Sequence, residues 1–178
     1  LRAPLPFEHC IAALDYAWPW SGVIAQFKFR DGLDLAGALS ALLLQAQRRE
    51  APPVVELLLP MPLGPQRLRE RGYNQAWELA RRIAPPLGLE ADARALLRLF
   101  DTPRQSGLAQ AERSANVRGA FGVAPGRRAA LRARRVALVD DVMTTGATAA
   151  EAARTLLDAG AASVQLWMLA RTPRPPDA

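Results

Sequence analysis

Two adjacent acids, Asp140 and Asp141, stand between an apolar run and a loop of small and hydroxylated residues, Thr144-Thr145-Gly146-Ala147-Thr148. Those residue types in that order suit a sugar phosphate. A carboxylate accepts hydrogen bonds from a sugar diol and can help hold Mg²⁺ through water. A helix starting behind the loop offers unpaired N–H groups and a partial positive charge to a phosphate. Gly146 and Ala147 carry little bulk, so an anion can approach the backbone, and the threonines add hydroxyl donors. No lysine follows the glycine, so this is not the nucleotide loop G-x-x-x-x-G-K-[ST]. Adjacent strand residues point to opposite faces, so both acids serve one ligand only if the chain has begun to turn at Asp141. The plain alternative is an Asp-rich turn ahead of a threonine-capped helix.

The elements around this stretch favour the sugar phosphate over the plain alternative. Val136 to Val139 is an unbroken apolar run, which predicts a strand buried on both faces and ended by the two acids. The alanine-rich run from Ala147 to Asp158 predicts a helix, with Gly160 placed to end it. Ser163 to Leu169 predicts the next strand, so the unit is β-loop-α-β. A second buried strand is expected at Val54 to Leu59. It runs into Pro60-Met61-Pro62-Leu63-Gly64 and then Arg67, Arg69 and Arg71. Ligands of parallel sheets collect beyond the carboxyl ends of strands, so the two loops are expected to face one crevice. There Arg67 and Arg69 could meet a pyrophosphate; a solvated basic turn is the alternative.

Elsewhere the pattern predicts a strand at Ile11 to Tyr16, a helix at Ser21 to Arg30 opened by Pro19, and a turn at Asp31-Gly32. Leu35, Leu39, Leu42 and Leu43 recur at helical spacing and predict a helix from Leu33 to Arg49. Asn74 caps a helix with Ala76, Leu79, Ala80 and Ile83 on its apolar face, stopped by Pro85-Pro86. The basic stretch from Asp92 to Gly126 carries strands at Leu96 to Phe100 and Gly119 to Val123 around a short helix at Leu108 to Asn116. It reads as a flap over the site or as a pair of surface loops. Ala124 to Arg134 is a basic connector, and Thr172 to Ala178 a proline-rich tail expected to be disordered. Trp18, Trp20, Phe27 and Phe29 cluster; core packing explains them better than stacking on bases.

Composition sets the outer limits. At 178 residues and 19.3 kDa the chain suits one α/β domain with a sizeable core. Half of its residues are hydrophobic, which excludes general disorder. No apolar run is long enough to span a membrane, and the start has no signal-peptide pattern. The first residue is Leu1, which points to a cut or processed terminus. Cys10 is the only cysteine, so a four-cysteine site cannot form within the chain, and a reducing cytoplasm is the simplest compartment. His9 is the only histidine and is expected to be structural. The net charge of +6 is almost all arginine, with Lys28 the only lysine; it supports a phosphorylated ligand or nucleic acid only weakly.

The stretch Val136-Ala137-Leu138-Val139-Asp140-Asp141-Val142-Met143-Thr144-Thr145-Gly146-Ala147-Thr148 resembles the phosphoribosyl-diphosphate (PRPP) signature of the type I phosphoribosyltransferases. The resemblance implies a mostly parallel central sheet flanked by helices, with a small hood or flap at about 90–126, in one domain over 1–178. It implies that Asp140 and Asp141 bind the ribose hydroxyls and hold Mg²⁺ through water. Thr144, Thr145, Gly146, Ala147 and Thr148 would wrap the 5′-phosphate, and Pro62, Leu63, Arg67, Arg69 and Arg104 would face the pyrophosphate.

Four further stretches narrow the resemblance to the ComF family, competence-associated phosphoribosyltransferase-like proteins of bacteria. They are Phe27-Lys28-Phe29; Pro60-Met61-Pro62-Leu63 with Arg67-Leu68-Arg69-Glu70-Arg71-Gly72-Tyr73-Asn74-Gln75; Gln105-Ser106-Gly107-Leu108 with Arg113; and Asn116-Val117-Arg118-Gly119-Ala120-Phe121. Their order and spacing match over almost the whole chain. Family members usually carry a four-cysteine zinc module ahead of a segment like Pro4-Leu5-Pro6-Phe7. That module is missing here, Cys10 is not one of its ligands, and zinc is not expected in this chain. The family implies a role in DNA uptake and transformation, cytoplasmic action on incoming single strands, and partners such as the competence helicase or other competence proteins.

Two functional readings follow. As an enzyme the protein would transfer or hydrolyse at the anomeric carbon of PRPP, with Mg²⁺ and arginine stabilising the leaving pyrophosphate. No general base and no acceptor-base pocket is legible. As a binding protein it would use the fold for phosphate recognition and contact single-stranded DNA through its basic segment.

Overall fold

The structure is a computed structural model that describes residues 5–100 and 117–173. The expected helix at Leu108 to Asn116, Arg104, Gln105, Arg113 and the last five residues of the tail lie outside the described residues. Among those described, five strands form one parallel sheet in the order β1-β7-β6-β2-β3. They are β1 (His9–Asp15), β2 (Leu57–Pro60), β3 (Glu90–Ala91), β6 (Arg135–Met143) and β7 (Ser163–Arg171). A separate antiparallel pair joins β4 (Leu96–Arg98) to β5 (Phe121–Val123). The helices are α1 (Trp20–Phe27), α2 (Ala36–Glu50), α3 (Pro65–Arg71), α4 (Gln75–Leu87), α5 (Arg128–Leu131) and α6 (Ala147–Asp158), with a 3₁₀ turn at Arg30–Leu35.

Alternation along the strands splits the core in two. Leu57, Leu59, Val136, Leu138, Val164 and Leu166 face α6 and pack on Ala149, Ala152, Ala153 and Leu156. Leu58, Ala137, Val139, Trp167 and Leu169 face the other way, onto Phe27 of α1, Leu39 and Leu43 of α2, and Leu79 and Ile83 of α4. Both faces are covered, which is why these strands read as unbroken apolar runs. Burial of each large side chain contributes about 1.5–3 kcal/mol. Gln165 is a polar residue fully buried in this core, with a hydrogen bond at each end of its amide. It donates to the Pro53 carbonyl at 2.8 Å and accepts from Trp167 Nε1 at 3.1 Å.

Several expectations are corrected. β6 does not stop at the acids; it runs to Met143, pairing with β7 as far as Arg171. The arginines after the Pro60–Gly64 loop form helix α3 rather than a basic turn, with Pro65 in the first turn and Gly72 ending it at φ 82°. Helix α4 is capped by Asn74, whose Oδ1 accepts from Trp77 N–H at 3.3 Å. It then runs through Pro85 and Pro86 and ends at Gly88, φ 66°. There Gly88 N–H donates to Pro85 and Leu89 N–H to Ala84, so the left-handed glycine, not the prolines, closes the last turn. Of the aromatic cluster only Phe27 is fully buried; Trp18 is 89% exposed and Phe29 is exposed too. Glu90–Ala91 belongs to the main sheet, pairing with Leu57–Leu58.

Candidate functional site

The cleft exists because β6 outruns β2. Their ladder ends at Pro60 beside Val139, with a last bond from Met61 N–H to the Val139 carbonyl at 2.8 Å. The chain then leaves the sheet through Pro62 and Gly64 into α3, while β6 continues beside β7. The β2-to-β3 and β6-to-β7 connections move outward in opposite directions from this boundary. That is the switch point at which open parallel sheets bind ligands. A cavity of about 450 Å³ lies there.

Asp140, Asp141, Thr144, Thr145, Gly146, Ala147 and Thr148 line this cavity, together with Pro62, Leu63 and Arg67. Arg69 does not line it. On α3 residues four apart share a face, so Arg67 and Arg71 are half-buried at the cleft and Arg69, between them, is exposed. Arg104 lies outside the described residues. Lys28, Arg71 and Arg98 line the cleft without having been assigned to it from sequence.

Both acids reach one cavity although β6 has not turned. By strand parity Asp140 follows Val136 and Leu138 on the α6 side, and Asp141 follows Ala137 and Val139 on the α1 side. The cavity spans both sides because no β2 residue covers β6 beyond Val139. Asp140 Oδ1 accepts from the Asp141 N–H at 2.8 Å. Asp141 is buried, and its Oδ2 lies 3.7 Å from Lys28 Nζ with no hydrogen-bond partner. Desolvation, then the charge of Asp141, push the Asp140 carboxyl up to about 8, against smaller opposing effects of the Asp141 N–H, Lys28 and Arg71.

The helix-start side of the cleft is built by Gly146 at φ 78°, a left-handed position that starts α6. Thr145 Oγ1 accepts from Ala147 N–H at 3.5 Å, a weak contact that leaves this helix end open to a stronger acceptor. The far wall comes from the β4–β5 pair. Arg98 stacks over the Phe121 ring at 5.3 Å, and Gly119 N–H donates to Glu151 Oε1 of α6 at 2.7 Å.

Oppositely, the turn Arg71-Gly72-Tyr73-Asn74-Gln75 ties the β2 loop to the end of α1. Asn74 Nδ2 donates to the Met61 carbonyl at 3.1 Å. The Tyr73 hydroxyl lies against the carbonyls of both Phe27 and Phe29, the latter at 2.7 Å. Gln75 donates to the Lys28 carbonyl at 3.0 Å and accepts from Arg71 Nη1 at 2.8 Å. Gly32 packs so closely on this corner that a Cβ would fall 2.2 Å from the Gln26 carbonyl oxygen.

His9 and Cys10 lie on β1 and do not line the cleft. Burial pushes the Cys10 thiol up, away from a reactive thiolate. No helix among the described residues is long and apolar enough to cross a membrane.

A parallel sheet covered on both faces, with an acid pair and a helix-opening threonine-glycine loop at its switch point, is the type I phosphoribosyltransferase fold. The solved structures agree. The *Bacillus subtilis* glutamine PRPP amidotransferase, in complex with ADP and GMP, superposes with a TM-score of 0.53 at 19% identity, covering 82% of this chain and 30% of that one. An allosteric regulatory enzyme of purine biosynthesis gives 0.50 with the same identity and coverage. No protein-family model matches the chain. The curated relatives define the family. The DNA utilization protein YhgH of *Escherichia coli* K12 is 36% identical over 176 residues, 97% of this chain and 76% of that protein. Competence protein F of *Haemophilus influenzae* is 35% identical over 160 residues, 88% and 69%. Competence protein ComFC of *Bacillus subtilis* is 31% identical over 150 residues, 84% and 58%. The chain belongs to the ComF family.

Proposed function

We propose that the cleft binds PRPP with Mg²⁺, and that the protein serves DNA uptake in natural competence as a phosphoribosyltransferase-like factor. The observation that carries the ligand reading is the convergence of the acid pair and the Gly146 helix start on one cavity. Asp140 and Asp141 take the ribose diol, and Thr144 to Thr148 take the 5′-phosphate at the positive end of α6. Arg67 and Arg71, half-buried on one face of α3, take the diphosphate, where a guanidinium pairs two oxygens at once.

The residues fit Mg²⁺ in one way only. No group of three His, Cys, Asp or Glu side chains among the described residues could cage a metal, yet Asp141 Oδ2 is a hard oxygen with no hydrogen bond. Mg²⁺ keeps several waters and takes ligand phosphates, so the two acids would hold it through water beside the diphosphate. When bound, it would neutralise charge on the departing diphosphate. Phosphoribosyl transfer at the anomeric carbon then asks of the chain mainly positioning and charge, both of which this cleft supplies.

The competence role rests on what the *Haemophilus* and *Bacillus* relatives are called. The second reading, a non-catalytic single-stranded DNA-binding factor, draws on the name of the *Escherichia coli* relative and on the arginine-rich charge. Titration calorimetry separates the two. PRPP binding that requires Mg²⁺ and changes little with salt supports the first. Absence of PRPP binding, with oligonucleotide binding that weakens steeply as salt rises, supports the second.

A further inference from the structure

We propose that Lys28 is a diphosphate-binding residue of the cleft, and that Tyr73 and Gln75 are the positioning residues that seat it there; the inference rests on the PRPP reading. Lys28 caps the C-terminus of α1, far in sequence from every other cleft residue. Its ammonium lies 3.7 Å from Asp141 Oδ2 and over the Tyr16 ring at 5.8 Å. That places one cation directly against the acid pair, where its charge offsets theirs toward a ligand carrying several phosphates.

The backbone that carries Lys28 is held on three successive carbonyls. The Tyr73 hydroxyl has one proton to share between Phe27 and Phe29, and the buried Gln75 amide takes the carbonyl of Lys28 itself. The same Gln75 amide accepts from Arg71, so one side chain sets the two cations that flank the acids. The Phe27 and Tyr73 rings pack at 6.1 Å, which stiffens the bracket from its apolar side. Long flexible lysines are costly to immobilise, and a backbone pinned this tightly lowers the cost of ordering this one.

The Arg71-to-Gln75 turn therefore has a task beyond joining α3 to α4. It brings Lys28 to the place where the sugar's hydroxyl end meets its diphosphate. In this arrangement Lys28 acts on PRPP and hardly on ribose 5-phosphate, which presents the same diol and phosphate without the diphosphate.

The test is calorimetry with PRPP·Mg²⁺ and with ribose 5-phosphate on the wild type, Lys28→Met, Lys28→Arg, Tyr73→Phe and the double variant Lys28→Met/Tyr73→Phe. Lys28→Met should weaken PRPP on the order of tenfold or more and ribose 5-phosphate much less, while Lys28→Arg restores most of the loss. Tyr73→Phe should weaken PRPP in the wild type and add nothing in the Lys28→Met background, although its effect on the melting midpoint is the same in both. Gln75→Met reads the same link should Tyr73→Phe fail to fold. Unchanged PRPP affinity in Lys28→Met, or equal loss for both ligands, overturns this role for Lys28 and leaves the PRPP reading standing. Additive losses overturn the bracket. A wild type that binds neither ligand overturns both.

Discussion

Replacing Asp140 by Asn should stabilise the ligand-free protein, by a margin that grows with pH. Desolvation and the neighbouring Asp141 raise the Asp140 carboxyl from 3.8 to about 8. In the unfolded chain the same group ionises at about pH 4. Between those two values the folded protein holds a proton that the unfolded chain has released. Stability falls with pH wherever the folded state binds more protons, so wild-type stability is lost from about pH 4 up to about pH 8. The slope is at most about 1.4 kcal/mol per pH unit, or about 3 kcal/mol between pH 5 and pH 7. Asn carries no charge at any pH and keeps Oδ1 as acceptor for the Asp141 N–H, bonded at 2.8 Å. Titrations of groups remote from Asp140 cancel in the difference between variant and wild type, whereas Asp141 and Lys28 interact with it and contribute to that difference. Urea unfolding at pH 5, 6, 7 and 8 without ligand measures that difference. The account predicts a gap widening in favour of Asn by about 1–3 kcal/mol. Parallel profiles, or a gap that closes with pH, would refute the claim that the two acids share one desolvated corner.

Three further outcomes are expected. Arg67→Ala and Arg71→Ala should each weaken PRPP more than ribose 5-phosphate, whereas Arg69→Ala, on the outer face of α3, should leave both affinities unchanged; a loss with Arg69→Ala would contradict the helix-face assignment. Gly146→Ala must hold a side chain at φ 78°, costing about 1–2 kcal/mol, and should lower both the melting midpoint and phosphate affinity; unchanged values would mean the loop adopts another backbone. Gln165→Leu strands the buried Trp167 Nε1 and should cost about 1–3 kcal/mol in denaturant unfolding, whereas the Pro53 carbonyl belongs to an exposed residue that water can reach; a neutral result would remove the Trp167 hydrogen bond from the fold.

The parts of the fold legible in the sequence are those whose signal is local. The β6–α6–β7 unit was readable because apolar runs, an alanine-rich helix and Gly160 follow one another. Gly160 lies at φ 104°, with the Gly160 and Ala161 N–H groups closing on Leu157 and Leu156. The Asn74 cap was readable for the same reason. Helix α3 was not, because it buries no residue and so leaves no apolar period to find. The reach of β6 past the acids is set by β7, which pairs with it to Met143, and nothing in the acids' own neighbourhood shows that. Trp18 was assigned to the core on hydrophobicity alone, yet it lies exposed ahead of α1. For the cleft, the presence of the acid pair and the Thr144 to Thr148 loop at one cavity could be read from spacing. Lys28 could not, because its place depends on Tyr73 and Gln75 holding a segment more than forty residues away. Arg69 was named in place of Arg71 because a basic run does not show its helical face until the helix is known.

The most direct test of the central claim is titration of the Asp140→Asn/Asp141→Asn variant with PRPP and Mg²⁺, beside the wild type. The account predicts that the wild type binds, and that the double variant unfolds as cooperatively but gives no binding heat. Wild-type affinity in the double variant would contradict it, since a ligand held without either acid is not held by its ribose in this cleft.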